Sequence, residues 1–508
     1  MSYTGLIEVM GRVNDFLNAG SVLSWDARVM MPKGGSATRS KQLSTLAVAA
    51  RNLLCSDEAK RALGGAEKDV AGKPEDSAEA RMVAQVREAI DYHERIPAEL
   101  LRRKTELGSE AHDVWAEARR KAEFPIFADA LTQMVEINRE MAQAIGYEDH
   151  PYDALMYRFE PGTTKKGLDT LFAQLREGML PLVRAIAEAD APRSDFLYRD
   201  YPEDQQMAFA LKMAEKIGYD LDRGRLDLTV HPFEVSFTRN DVRITTRVAR
   251  DFMQMSLFGA LHEAGHAMYE QSVDPAYTRT PLATDLISLY AVGGVSFGAH
   301  ESQSRLWENH VGRSRAFWEN HMDDIRAAHP GLLDDVTTEE FYRAINKSEP
   351  SFIRVEADEL TYDFHVMLRC ELEAKLVDGS LEVKDLPEAW NAGMKEYLGV
   401  DVPDDAKGVL QDVHWSSGQI GTFCNYTVGN IMAAQLFETA TTEDSAIQAG
   451  LDAADYTPLR EWLNSNVAQH GRRFTRDELL EKATGRPLDP KPYLAYLTQK
   501  YSEIYSLA

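Results

Sequence analysis

The chain has 508 residues and a formal net charge of −25, from 56 basic and 81 acidic side chains. This excess of negative charge argues against binding to nucleic acid or to an anionic membrane surface, since both require basic patches. The three cysteines lie far apart without a CxxC pair, and no apolar run approaches the roughly 20 residues of a membrane span. We therefore expect a cytoplasmic protein.

Helical periodicity covers most of the chain. Charged helices are predicted over 78–92 and 97–121, and capping boxes predict further helix starts at Thr337 and Thr475. No internal repeat, low-complexity segment or long linker divides the chain. The prediction is a mainly α fold, with one large helical body as a single domain over residues 1–508.

One segment breaks the helical pattern. Residues 226–248 alternate apolar and polar side chains and are rich in β-branched residues. The runs 235–238 and 241–245, joined by Arg239-Asn240, therefore predict a β-hairpin. Its free edge would allow an extended peptide to pair through main-chain hydrogen bonds. The alternative is a small structural hairpin that caps the helical body.

The stretch 252–271 is predicted to be a helix, and it contains His262-Glu263-Ala264-Gly265-His266. Residues four positions apart share one face of a helix, so both imidazoles can face one metal ion. Glu263 can then take a proton from a metal-bound water, whose pKa zinc lowers to about 7. This HExxH pattern predicts a zinc peptidase site. The alternative is a buried helix with two satisfied histidines.

A catalytic zinc requires a third protein ligand and one open position. The residues that follow His266 do not continue as a metzincin motif, so this ligand must come from elsewhere in the chain. Glu301 is the predicted third ligand, because a helix there would place it on one face with Phe297 and Ser304. Glu270 is the local alternative, but it lies about two helical turns from His262.

Eight groups of residues along the chain carry a family resemblance. In chain order they are Ser24-Trp25-Asp26, Met30-Met31-Pro32, His231-Pro232-Phe233, Asp241-Val242-Arg243-Ile244-Thr245, His262-Glu263-Ala264-Gly265-His266, His300-Glu301-Ser302-Gln303, 353–358 and 408–415. With these motifs the chain resembles the carboxypeptidase Taq family, the M32 metallocarboxypeptidases. Two positions depart from the family pattern. Ala27-Arg28-Val29 replaces a more polar run, and Cys424 stands where proline is usual, which puts the geometry around Tyr426 in question.

The resemblance implies a helical fold like that of neurolysin and angiotensin-converting enzyme, with a long substrate groove beside the zinc helix. Helices of about residues 1–120 would form one wall or lid of that groove. The whole chain would be a single catalytic metallopeptidase domain that forms a homodimer. It would remove single residues from the free C-termini of peptides with broad specificity, and His231, in the HPF motif, would help to close one end of the groove.

Further roles can be assigned by chemistry. A substrate's free α-carboxylate is best bound by the planar fork of an arginine. Arg243, at the edge of the predicted hairpin, and Arg354, in the IRxxAD-like segment, are the two candidates, and the sequence does not rank them. His414 and Tyr426 are candidates for stabilising the tetrahedral oxyanion. Glu263 would act as general base and later as acid to the leaving amine.

Two other functions remain open. An endo-oligopeptidase of the same clan would use the same zinc chemistry in an open groove. A non-catalytic helical protein would hold zinc structurally, although such a site has no use for Glu263 and usually has four protein ligands. One Zn²⁺ per chain is expected, which Co²⁺ or Mn²⁺ could replace. A carboxylate, Asp358 or Asp363, is expected to orient a ligand imidazole.

Overall fold

α-Helices dominate the computed structural model, which describes residues 2–507. The first helices are α1 (Tyr3–Val29), α2 (Ser36–Leu54), α3 (Asp57–Val70), α4 (Ala78–Arg95), α5 (Ala98–Lys121), α6 (Pro125–Ile145), α7 (Pro151–Met156), α8 (Lys165–Ala187) and α9 (Glu203–Ile217). Three strands follow, namely β1 (Leu226–Leu228), β2 (Glu234–Thr238) and β3 (Asp241–Thr246).

The second half of the chain contains helices joined by loops, without a further strand pair beyond one isolated bridge between Asp285 and Tyr290 among the described residues. Its helices are α10 (Gln254–Ser272), α11 (Phe297–Arg305), α12 (Arg315–Ala328), α13 (Thr338–Ile345), α14 (Tyr362–Asp378), α15 (Leu386–Leu398), α16 (Cys424–Glu443), α17 (Ser445–Asp452), α18 (Thr457–Asn466), α19 (Arg476–Thr484) and α20 (Lys491–Tyr505). A π-helical segment, Leu306–Gly312, continues α11. Among the helices of residues 2–507, none is both long and apolar enough to cross a membrane.

The predicted fold class and the predicted capped helix starts are confirmed. Thr475 accepts a hydrogen bond from the backbone N–H of Glu478, whose carboxylate accepts one from the N–H of Thr475. Thr337 and Glu340 form the same reciprocal pair before α13. These two helix starts could be predicted from the sequence because a helix start satisfies its free N–H groups with side chains only a few residues away.

The chain forms two compact units, each assembled from three separate segments. The first unit comprises the segment that ends at His93, Pro192–Ile345 and Gly429–Asp489. The second comprises Glu94–Ala191, Asn346–Val428 and the segment from Pro490 onward. The predicted wall or lid, residues 1–120, is therefore divided between the two units. A lid function for these helices stays a prediction, as does one catalytic domain over 1–508.

The N-terminal helices of the first unit are buried unevenly. The first half of α1 packs against α3 and α4 through apolar side chains that include Leu6, Val9 and Val13. Between Asn18 and Ala49, by contrast, Trp25 is the one buried residue. The second half of α1 and most of α2 therefore contribute little to the core. Trp25 is the one side chain of this stretch that is buried.

The predicted hairpin is confirmed, and a third strand extends it. β2 pairs antiparallel with β3, and β1, which the sequence analysis did not separate from the hairpin, pairs parallel with β3 on its other side. The predicted placement of Arg243 at the hairpin edge was therefore wrong, because β3 is the central strand. The edges that remain for an extended peptide belong to β1 and β2.

The helix that carries the HExxH pattern is buried on nearly all sides, among β3, α9 and α11. Gly265 permits the closest of these contacts. A Cβ at Gly265 would lie 2.6 Å from the backbone oxygen of Gln303 and 2.7 Å from Cα of Ser304. A small residue is therefore required at this position, since any side chain there would push α11 away from α10.

Candidate metal centre

α10 and α11 bring three predicted site residues together in the first unit. Oε2 of Glu301 lies 3.6 Å from Nε2 of His262 and 3.3 Å from Nε2 of His266. Tetrahedral ligands at about 2.0–2.2 Å from a zinc ion lie about 3.3–3.6 Å from one another. Both distances from Glu301 thus match those around a zinc ion, and the ligand atoms of the three residues all lie within 4.8 Å of one another. Among the described residues, this is the one such group that could hold a metal ion, and Glu270 does not belong to it.

The electrostatics of this cluster favour a cation. Burial raises the pKa of Glu301, but Arg305 and the two histidines outweigh it and hold that pKa well below its usual value. Burial lowers the pKa of His262, but the carboxylates of Glu301 and Glu308 outweigh it and raise that pKa. The acidic side chains around the histidines therefore favour positive charge at this position. Burial also raises the pKa of Glu263 to about 7.

The second ring nitrogen of His262 has a carboxylate partner. Its Nδ1 lies 3.0 Å from Oε2 of Glu308, within the π-helical segment. A metal on Nε2 requires the ring proton on Nδ1, so Nδ1–H donates to Glu308. Burial raises the pKa of Glu308, but the bond to His262 and the nearby Arg305 and Arg313 outweigh it and lower that pKa to about 2. Glu308 is therefore a carboxylate that fixes the His262 ring.

The second ring nitrogen of His266 is supported by a chain of two further side chains. Its Nδ1 lies 2.6 Å from Nδ1 of His300, and Nε2 of His300 lies 3.0 Å from Oε1 of Glu270. Both oxygens of Glu270 accept bonds from the backbone N–H of Gly293, and Oε1 also accepts one from Gly294. With Nε2 of His266 on a metal, each ring in this chain has one defined tautomer.

The expectation that Asp358 or Asp363 orients a ligand imidazole was wrong. Nδ1 of His262 contacts Glu308, and Nδ1 of His266 contacts His300. Asp363 instead accepts bonds from the hydroxyls of Thr427 and Tyr493. The sequence held one signal for the actual partner of His262, because residues 301 and 308 are seven apart and share a helix face.

The residues of the HPF and Asp-Val-Arg-Ile-Thr motifs meet at the sheet. The N–H of Phe233 donates to Oγ1 of Thr245 at 2.8 Å, and the Thr245 hydroxyl donates back to the carbonyl of Phe233. Arg28, at a position that departs from the family pattern, lies 4.6 Å from the centroid of the Phe233 ring. His231 itself is exposed. The motif is thus anchored through Phe233 rather than through its histidine.

The guanidinium of Arg243 contacts one carboxylate and two aromatic rings. Its Nε and Nη2 donate to both carboxylate oxygens of Asp241, at 2.8 and 2.9 Å. Its guanidinium carbon lies 4.5 Å from the centroid of the Trp25 ring and 4.8 Å from that of Phe237. A guanidinium has five N–H donors, so this arrangement orients Arg243 and leaves its Nη1 edge for a further acceptor.

Arg354 lies in the second unit, within a cluster of buried polar side chains. Its Nε and Nη2 donate to Oδ1 of Asp412, and its Nη1 donates to the hydroxyl of Tyr362. Arg369 donates to Oδ2 of Asp412 and to Oε1 of Gln411. Asp412, in the segment 408–415, therefore binds both Arg354 and Arg369 through its carboxylate.

His414 and Tyr426 belong to the same unit. Burial lowers the pKa of His414 to about 4, so its imidazole is neutral at neutral pH. The half-buried Tyr426 ring lies 5.0 Å from the guanidinium carbon of Arg354. Cys424, the departure noted before this tyrosine, is fully buried, and its Sγ contacts the carbonyl of Gly421 at the start of α16. Cysteine thus fills this position without breaking the helix start.

Comparison with known proteins agrees with this arrangement. The sequence profile described as carboxypeptidase Taq (M32) metallopeptidase matches residues 5–501. The chain belongs to this family. It is 37% identical to carboxypeptidase 1 of Bacillus subtilis and 38% identical to thermostable carboxypeptidase 1 of Thermus thermophilus, over 98% and 99% of each chain respectively. The crystal structure of an M32 carboxypeptidase from Deinococcus radiodurans superposes with a TM-score of 0.94, at 40% identity over 99% of each chain.

Family membership confirms the resemblance and the predicted activity. The protein is a metallocarboxypeptidase, a hydrolase that cleaves peptides at the C-terminus, and the family implies a divalent metal. An open-groove endo-oligopeptidase and a non-catalytic zinc protein are not supported. The site geometry and the family therefore agree on a metal-dependent hydrolase.

Proposed function

We propose that the enzyme is a zinc carboxypeptidase that removes single C-terminal residues with broad specificity. One Zn²⁺ per chain would be held by Nε2 of His262, Nε2 of His266 and Oε2 of Glu301. The observation that carries this proposal is the convergence of these three side chains, with Oε2 of Glu301 3.6 and 3.3 Å from the two Nε2 atoms and all ligand atoms within 4.8 Å of one another. Two nitrogens and one carboxylate oxygen also suit zinc chemically, and Co²⁺ or Mn²⁺ would be functional substitutes.

Glu263 is the general base in this proposal. Bound zinc would lower the pKa of a water molecule and polarise the scissile carbonyl. Glu263 takes a proton from the attacking water and passes it to the leaving amine, which typically contributes about 10²–10⁴-fold to the rate. Its burial beside the ligand histidine His262 supports both steps, because a desolvated carboxylate takes up a proton more readily than an exposed one.

The remaining roles rest on the motifs. His414 and Tyr426 would stabilise the oxyanion, and the neutral state of the His414 ring supports hydrogen-bond donation there. Arg243 and Arg354 would bind the substrate's free α-carboxylate. The open Nη1 edge of Arg243 supports the first assignment, and the family motif supports the second. His231, with the rest of the HPF motif, would limit the groove at one end.

Assembly and location follow from resemblance and composition alone. We propose a homodimer, in which residues 1–508 of each chain act as one catalytic domain. The cysteines are free, in agreement with a reducing environment, and a cytoplasmic location remains our proposal. The natural substrates would be peptides with a free C-terminus.

The proposal is tested by mass spectrometry of a mixed-sequence peptide incubated with zinc-loaded enzyme. We expect a ladder that loses one residue at a time from the C-terminus. Glu263→Gln should lose the ladder while it retains zinc at one ion per chain, since Glu263 is not a ligand. The same peptide with an amidated C-terminus should be cleaved poorly, because it lacks the carboxylate that the arginines would bind.

Each other outcome has a definite meaning. Internal fragments would identify an endopeptidase and contradict the exopeptidase assignment. An unchanged ladder from Glu263→Gln would remove Glu263 from the mechanism. A wild-type protein that binds no zinc, yet is active with another divalent metal, would contradict the choice of zinc alone.

A further inference from the structure

The two oxygens of Glu301 have different surroundings. Oε2 faces the Nε2 atoms of His262 and His266 and accepts a longer bond from the Ser304 hydroxyl, at 3.2 Å. Oε1 accepts a bond from Nε of Arg305 at 2.7 Å, and both side chains are largely buried, at 8% and 15% exposure. The two oxygens of Glu301 therefore have different partners. Oε2 faces the two histidines, and Oε1 is bound by the guanidinium of Arg305.

Packing fixes the position of the Glu301 side-chain stem. Gly429, near the start of α16, lies against it so closely that an added Cβ would come within 2.6 Å of Cγ and 2.7 Å of Cβ of Glu301. On the other side, Gly265 of α10 meets the backbone of α11. Two glycines thus seat α11 between two helices, and the orientation of the terminal carboxylate is left to its hydrogen-bond partners.

Arg305 also reaches the carboxylate that supports His262. Its Nη1 lies 3.4 Å from Oε2 of Glu308, the same oxygen that contacts Nδ1 of His262. Arg313, five residues after Glu308, approaches Oε1 of Glu308 at 3.3 Å. Five residues is the hydrogen-bond interval of a π-helix, and Arg313 directly follows the π-helical segment that contains Glu308. One guanidinium, that of Arg305, therefore contacts both carboxylates beside the histidines.

We propose that Arg305 is a positioning residue that holds Glu301 as a one-oxygen metal ligand. The inference rests on the proposed zinc function. A catalytic zinc has three protein ligands and one open position. If Glu301 bound zinc through both oxygens, it would fill a position that water and the substrate carbonyl require. By occupying Oε1, Arg305 keeps that position open without touching the metal or the substrate.

The test compares zinc-loaded crystal structures of the wild type with Arg305→Gln and Arg305→Met. In the wild type, Oε1 of Glu301 should stay on Arg305 and out of bonding distance of zinc. In both variants, it should move to about 2.0–2.2 Å from the ion, the length of a Zn–O bond. Arg305→Lys, which can still offer one donor to Oε1, should retain the wild-type coordination.

Solution measurements accompany the structures. Visible absorption of the Co²⁺-loaded protein reports coordination number, and its bands should weaken in the two charge-free variants as a fifth ligand atom is added. Activity should fall about 10–100-fold, the usual cost of losing a residue that supports a metal ligand. The matched control is Arg250→Gln, which removes an exposed two-bond ion pair with Asp200 in the same unit and should change neither readout.

These experiments distinguish failure of this inference from failure of the zinc proposal. A wild-type protein that takes up no zinc would remove the proposed function. Zinc bound by both oxygens of Glu301 in the wild type would overturn the role of Arg305, and so would unchanged one-oxygen binding in a folded charge-free variant. If neither charge-free variant folds, the wild-type structure decides between one-oxygen and two-oxygen binding.

Discussion

The metal cluster of the first unit and the Arg354 cluster of the second are both buried and charged, but they differ in what they leave unpaired. In the second unit, Asp412 accepts bonds from Arg354 and Arg369, and Gln411 accepts a further one from Arg369. The donors of Arg354 and Arg369 are paired there with the acceptors of Asp412 and Gln411. In the metal cluster, two imidazoles and one carboxylate converge, with their ligand atoms within 4.8 Å of one another.

This difference separates a metal site from a network of ion pairs. Converging acceptors repel one another unless a cation lies between them, whereas two arginines that share a carboxylate hold one another without a metal. The first cluster should therefore depend on added metal. The second should depend on its own side chains and contribute to stability whether or not metal is present.

Loss of a ligand from the first cluster should have the largest effect. Glu301→Gln should lose zinc and reduce carboxypeptidase activity by at least about 10³-fold, since a metal supplies several kcal/mol of transition-state stabilisation. The exposed Glu319→Gln of α12 is the control and should keep both. Metal analysis together with peptide hydrolysis checks this expectation. A full complement of zinc in Glu301→Gln would show that the third ligand lies elsewhere.

Loss of the shared carboxylate from the second cluster should affect stability instead. Asp412→Asn leaves two buried guanidinium groups without a charge partner, which should cost about 3–5 kcal/mol in urea unfolding at pH 7. The exposed Asp149→Asn of the same unit should cost almost nothing. The zinc content of Asp412→Asn should stay at the wild-type level. Loss of zinc from this variant would contradict the distinction between the two clusters.

The same carboxylate predicts a pH dependence. Burial raises the pKa of Asp412, but Arg369 and Arg354 outweigh it and hold that pKa well below its usual value. A lowered pKa contributes stability above the ordinary value of about 4, and this contribution is lost as the pH falls below it. The free energy of unfolding of the wild type should therefore decrease below pH 4 more steeply than that of Asp412→Asn.

A smaller effect is expected where the two metal-bearing helices touch. Gly265→Ala places a methyl group against the backbone of α11, which should cost about 1–3 kcal/mol and weaken zinc binding. Gly64→Ala is the matched control, because an added Cβ in α3 would meet nothing within 4 Å. It should gain up to about 1 kcal/mol from helix propensity. Equal melting temperatures and zinc affinities for both variants would contradict the tight contact.

The smallest effect concerns a second buried acid of the second unit. Glu373 accepts bonds from Tyr152, Trp415 and the N–H of Gly421, yet burial raises its pKa to about 7. An acid with a raised pKa loses stability as the pH rises through that value, by about 1 kcal/mol between pH 6 and 7. Glu373→Gln should show a flatter profile over this interval, and parallel profiles would be inconsistent with the raised pKa.

Local patterns predicted what depends on local spacing. The helix with His262 and His266 was predicted because positions four apart share one face, and the hairpin because alternation in sequence is alternation between sheet faces. Glu301 required more, namely the absence of a nearer ligand and the family resemblance. Arg243 was misplaced because β1 pairs with β3 across a sequence separation that alternation does not encode.

The supports of the metal cluster were missed for a related reason. Glu308 contacts His262 from a π-helical segment, and its seven-residue spacing from Glu301 was the one sign of it in the sequence. Arg305 lies one helical turn after Glu301, a spacing that exposed ion pairs also show. His300 was visible as the neighbour of Glu301, but its contact with His266 depends on how α11 lies on α10. The expected orienting carboxylates, Asp358 and Asp363, were chosen by residue type alone, and that choice was wrong.

By itself, the sequence determined the mainly helical class, the helix with the HExxH pattern, the hairpin beside it and the family. Each of these depends on spacing within a short window or on motifs that keep their order along the chain. Only the tertiary structure decided which nitrogen and which oxygen face the metal position, and which residues hold them there. Those choices arise from the close approach of α10, α11 and α16 at two glycines, and such packing is set by contacts between segments far apart in sequence.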